Sequence, residues 1–158
     1  MSQHVHHAHH TPDRASLTRL ALSATLHCLT GCALGEVGGL VIGTWLGWGN
    51  AGTIALAVAL AYLSGYAFTV VPLLRSGLDF AHASRLALAA DTVSITIMEI
   101  VDNLVMLVIP GAMDAAPSSL FFWFALILSL GIAGVAAFPV NRWLIGRGRG
   151  HAVVHTHH

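Results

Sequence analysis

The sequence predicts an all-α membrane protein of four transmembrane helices, and three observations carry that fold class. Hydrophobic residues make up 56% of the 158 positions and charged residues 9%, with a mean hydropathy of +0.75. Four apolar segments each exceed the about 20 helical residues that cross a hydrocarbon core of ~30 Å. The basic residues, all arginine, gather at alternate connections, as the positive-inside rule requires of a multi-span chain.

The spans run from Leu17 to Leu46, Ala51 to Leu74, Ala83 to Ile109 and Leu120 to Ile145. Arg14 and Arg19 stand at the start of the first, Arg75 and Arg85 around the connection between the second and third, and Arg142, Arg147 and Arg149 at and after the end of the fourth. The other two connections carry none. A multi-pass membrane protein with both termini cytoplasmic is the expected arrangement, divided into a tail (1–15), a four-helix membrane domain (16–147) and a second tail (148–158). Its expected surroundings are the lipid bilayer and a homo-oligomer or metal-handling partner, with no nucleic acid.

Both tails are histidine-rich: His4, His6, His7, His9 and His10 at one end, His151, His155, His157 and His158 at the other. The irregular spacing differs from that of an expression tag. Metal capture at the cytoplasmic face is one reading, and polar tails without a task the other.

The first span carries the organising stretch. Cys28, Cys32 and Glu36 stand at i, i+4 and i+8, so they share one stripe of the helix, with His27 a quarter-turn away. Two thiols four residues apart on one helix have poor disulfide geometry and are expected to stay free. Leu29-Thr30-Gly31-Cys32 also imitates a lipoprotein cleavage signal, but further membrane span follows it where an exported domain would be expected. Gly31, Gly35, Gly39, Gly43 and Gly47, four residues apart, form a ridge that lets another backbone approach closely.

The second span holds little chemistry beyond Tyr62 and Tyr66. Trp45 and Trp48 suit the aromatic belt at a membrane boundary, and Pro72 is expected to end or kink the helix before Arg75.

The third span concentrates the remaining polarity. Met98, Asp102 and Met106 fall on one stripe, and Glu99 and Asn103 stand beside it. Of seven acidic residues in the chain, Glu36, Asp91, Glu99 and Asp102 lie inside the spans, which hold no lysine and whose arginines, Arg19, Arg85 and Arg142, stand only toward the ends. An ionised aspartate at the bilayer centre costs roughly 2.5 to 3.5 kcal/mol, so each must be protonated, hydrogen-bonded or neutralised by a cation. Asp91 is near enough to the basic end for an ion pair with Arg85 or Arg142. Glu99 and Asp102 have no such neighbour in the sequence.

The fourth span ends in Pro139-Val140-Asn141-Arg142, which matches Pro72-Leu73-Leu74-Arg75 at an offset of 67, as Leu107-Val108-Ile109-Pro110 matches Leu40-Val41-Ile42-Gly43. This implies two repeated helical hairpins related by a pseudo-two-fold along the membrane normal, with coincidence among common apolar residues as the alternative. The offset also sets Cys32 against Glu99 and Glu36 against Asn103.

Thiols, imidazole, thioethers and carboxylates at mid-membrane compose a ligand set for a transition-metal ion, copper or zinc before others. The expected metal-site residues are His27, Cys28, Cys32, Glu36, Met98, Glu99 and Asp102, supported by Asp91, Asn103, Met106 and Arg142. Binding or transport of that ion is the first functional expectation. A proton or cation pathway through the buried carboxylates is the alternative, as is a thiol-redox, haem or quinone protein. An enzyme is not expected.

The His27-Cys28 to Cys32 and Gly35-Glu36 pattern, Ala90-Asp91-Thr92, Met98-Glu99-Ile100-Val101-Asp102-Asn103 and Phe138-Pro139-Val140-Asn141-Arg142-Trp143 together resemble a family of small bacterial membrane proteins, domain of unknown function 4396. The resemblance covers nearly everything between the tails. It implies a four-span fold and no particular activity.

Overall fold

A computed structural model describes residues 14–147, which form four α-helices and no strands: α1 (Arg14–Trp45), α2 (Asn50–Arg75), α3 (Phe80–Val108) and α4 (Leu120–Gly146). All four agree with the expected spans to within a few residues. Apart from the first residues of α1, the two histidine tails lie outside the described residues.

Length and composition make α1, α2 and α4 apolar enough to cross a membrane. At 29 residues α3 is as long as they are, and at 1.5 Å of rise per residue it reaches across a hydrocarbon core. Its composition is what sets it apart. Asp91, Glu99 and Asp102 all point inward and are buried, while Val93, Ile100, Leu104 and Leu107 cover its outer face.

The turns after α1 and α2 are built alike. Gly47 and Gly77 take positive φ (69° and 94°) just past the helix ends. Trp48 N–H then reaches the Gly43 carbonyl and Gly47 N–H that of Thr44, and Leu78 and Gly77 repeat the pattern on Leu73 and Leu74. This paired closure satisfies carbonyls that a helix end leaves open, and a side chain at the left-handed residue would strain it. Gly47 therefore belongs to a turn and not to the glycine ridge. Pro72 sits inside the last turn of α2, which continues to Arg75. The helices α3 and α4 start on Asp79 and Ser119, whose side chains accept from the His82 and Phe122 N–H groups.

The rest of the ridge works as expected. A Cβ at Gly31 would lie 2.8 Å from the Gly65 Cα, one at Gly43 2.7 Å from the Thr53 hydroxyl, and ones at Gly35 and Gly39 would run into the backbones of Leu60 and Ala57. These contacts make α1–α2 the most extensive helix pair in the bundle. Ser64 Oγ, 2.5 Å from the Gly31 carbonyl and 2.7 Å from that of Leu60, sits in the same seam.

Going round the bundle, α1 touches α2 and α4, and α3 touches the same two helices. Helices α1 and α3 also meet across the middle. At the centre, Cys28 and Cys32 of α1, Ala61 of α2, Ile95 and Met98 of α3, and Ala133 and Ala137 of α4 form one buried cluster. The small alanines let α1 and α3 approach. In α2 and α4 the buried positions correspond at an offset of 68: Ala57, Ala61, Gly65, Thr69 and Leu73 with Ala125, Ser129, Ala133, Ala137 and Asn141. At 67 they would correspond to Phe124, Leu128 and Ile132, which face outward.

Candidate functional site

The polar residues singled out in α1 and α3 converge on the seam between those helices. At the end nearer the termini, the Cys28 thiol donates to the Asp91 carboxylate at 3.7 Å, and Ser94 stands beside the same thiol. One turn along, the Cys32 thiol faces the Glu99 carboxyl. A further turn along, the Glu36 and Asp102 carboxyls face one another, with Glu99 adjacent to Asp102. The i, i+4, i+8 stripe of α1 therefore meets its polar counterpart on α3 level by level.

Burial is nearly complete. Glu36 is 5% exposed, Glu99 6% and Asp102 2%. Glu36 Oε2, Glu99 Oε2 and both carboxylate oxygens of Asp102 are buried with no hydrogen-bond donor among the described residues. Carboxylates in that state are costly in hydrocarbon unless a proton or a cation joins them. Among the described residues no lysine or arginine does so, because the chain has no lysine and the arginines stand toward the helix ends.

Other expected site residues are placed elsewhere. The His27 ring lies against α2, edge-on to Phe68 with centroids 5.6 Å apart and Nε2 3.4 Å from the Thr69 hydroxyl. Asn103 donates its amide to the Glu99 carbonyl on its own helix at 2.8 Å. Met98 is in the central cluster, whereas Met106 packs with Ala112 and Ala125 at the loop end. Arg142 is half-buried, and its neighbour Asn141 donates to Thr25 at 2.9 Å, tying α4 to α1. Both cysteines are free thiols. Among the described residues no group of three or more His, Cys, Asp and Glu side chains is arranged to hold a metal ion.

Sequence reasoning left two sets of residues without a role. Ser94 shares a face with Asp91 and Met98 at the i+3 and i+7 spacing that places it on the seam. Tyr62 and Tyr66 bond to Thr96 at 2.7 Å and Thr92 at 3.0 Å, joining α2 to α3. Each threonine hydroxyl already donates to a carbonyl one turn back, so the tyrosines are the donors.

The family model for a domain of unknown function, DUF4396, matches residues 19–150, a range that takes in nearly all of the four helices and the entire α1–α3 seam. The chain belongs to the DUF4396 family. In this DUF4396 member two of the segments that carried the resemblance, Cys28 to Glu36 and Asp91 to Asn103, build the seam, and the remaining one, Phe138 to Trp143, lies in α4. No curated protein and no solved structure matches the chain.

Proposed function

We propose that the protein spans the membrane with all four helices and passes a cation, in the first instance the proton, along the seam between α1 and α3. The observation that carries this reading is the set of buried carboxylate oxygens on Glu36, Glu99 and Asp102 that no donor reaches. Ionisable groups at membrane depth are retained where they serve an ion or proton path. Here they meet in successive pairs along the bundle, which suits stepwise transfer better than one many-toothed ligand sphere.

A second reading has its own support. Each thiol lies beside a carboxylate, Cys28 by Asp91 and Cys32 by Glu99, and thiolate with carboxylate is a donor combination for a zinc-like ion. In this reading a transition-metal ion draws the side chains together on binding and displaces their protons.

One set of measurements separates the two. Purified protein in liposomes loaded with a pH-sensitive dye should pass protons when a potential is imposed. Glu99→Gln should stop that flux while the Cys28→Ser, Cys32→Ser double variant keeps it. The metal reading instead requires copper or zinc in elemental analysis of the native protein at a fixed ratio, lost in the double serine variant. Proton flux unchanged by Glu99→Gln, or absent from the native protein, overturns the first reading.

A further inference from the structure

The stripe that begins at Cys28 does not end at Glu36. Its next two members at the same spacing, Leu40 and Thr44, line a recess of about 390 Å³ at the loop end of the bundle. The recess is walled by the turn after α1, the start of α2 and the α3–α4 connection, including Trp48, Asn50, Thr53, Met113 and Asp114. It contains the one acidic residue of that connection, and Asn50 Nδ2 lies 3.4 Å from Asp114 Oδ1. Leu40 is one helical turn from Glu36, and Met106, one turn from Asp102, packs with Met113 of the recess wall.

We infer that this recess is the mouth through which a hydrated cation reaches the Glu36–Asp102 pair, with Leu40 as the apolar barrier between them. The inference rests on the cation-pathway reading and adds where the path opens and what closes it. The Asp114 carboxylate and the oxygen atoms of Asn50, Thr44 and Thr53 supply the hard, negative lining that suits a hydrated cation and discourages an anion. A single aliphatic side chain between wet and buried polar compartments acts as a gate by excluding water.

The test uses the native thiol of Cys32, one turn below Glu36, as its reporter, in the full chain with Cys28→Ser. Membrane-impermeant methanethiosulfonates, one cationic and one anionic, are applied separately to the two faces of sealed vesicles. With Leu40 in place Cys32 should modify slowly. Leu40→Ala should raise the rate several-fold for the cationic reagent, from the loop face only, and less for the anionic one; Asp114→Asn should remove that preference. Leu40→Met, which keeps an apolar plug, should behave as Leu40 does and guards against a general loosening of the bundle.

Equal rates in the Leu40 and Leu40→Ala proteins, or a faster rate from the face that carries the termini, would overturn the inference. Proton flux in the same vesicles keeps the two proposals distinguishable. If the reagents enter through the recess but no flux is seen, the mouth stands and the pathway reading fails. If Glu99→Gln stops a flux that Leu40→Ala leaves unchanged, the pathway stands and this mouth does not.

Discussion

The Cys28 thiol donates to the Asp91 carboxylate across 3.7 Å, joining α1 to α3 through the middle of the bundle. The two residues are 63 positions apart in the chain, and each is buried. The contact fixes the level at which the two polar stripes meet.

Removing that donor should be felt in stability. Cys28→Ala takes a hydrogen bond from a buried carboxylate and leaves a void, at a cost of about 1–3 kcal/mol. Cys28→Ser retains a donor and should lose less. Thermal unfolding in one detergent, followed by circular dichroism, ranks the three proteins. An alanine variant as stable as the native chain would show that the contact contributes nothing.

The glycine ridge gives an internal control. Gly39→Ala sets a methyl group into the Ala57 backbone, whereas Gly38→Ala, one residue away, meets nothing within 4 Å. Backbone cannot yield as a flexible side chain does, so Gly39→Ala should force α1 and α2 apart and cost about 1–3 kcal/mol. Gly38→Ala should leave the midpoint unchanged or raise it slightly, since alanine is the better helix former. Equal midpoints for the two variants would mean that the α1–α2 seam is looser than its geometry.

Helix positions were legible because span length and arginine placement are local features, whereas the turn role of Gly47, hidden by its four-residue spacing from the ridge glycines, showed only in its positive φ. The α1–α3 meeting was also readable, since an acid in lipid must face inward and Cys28, Cys32 and Glu36 share a stripe. Of their partners, Glu99 opposite Cys32 was legible, whereas Asp91 beside Cys28 and Asp102 in place of Asn103 opposite Glu36 were not. His27 turned to Phe68 and Asn103 to its own helix because a side chain takes the nearest satisfying group, and which helix supplies it depends on crossing geometry that spacing does not encode. Tyr62 and Tyr66 were left without a role for the same reason: their threonine acceptors lie on another helix.

Those tyrosines should prove structural. A hydrogen bond between membrane helices contributes about 0.6 kcal/mol on average, so Tyr62→Phe and Tyr66→Phe should each lower the unfolding midpoint only slightly. The effects should add, because each tyrosine has its own acceptor, Thr96 or Thr92. Proton flux should survive both substitutions, since neither ring belongs to the α1–α3 seam. Flux lost in either phenylalanine variant would extend the pathway to the α2–α3 interface.

The Glu36–Asp102 pair allows a sharper measurement, because removing a charge there should stabilise the fold while abolishing transport. Asp102→Asn replaces a carboxylate that lacks a donor by an amide whose N–H groups can reach Glu36, and Glu36→Gln does the converse. Each should raise stability by about 0.5–2 kcal/mol, the usual gain when a functional site is relieved of its own strain. Either replacement relieves most of the repulsion between the two, so the double variant should gain little more. The resulting coupling energy should fall in the range of about 0.5–3 kcal/mol expected for residues in contact. Glu36→Gln combined with Asn141→Leu, at the opposite end of the bundle, should show no coupling. Additive gains at Glu36 and Asp102 would mean that the two carboxyls do not share a proton or cation, and the stepwise path through that pair would be lost with them.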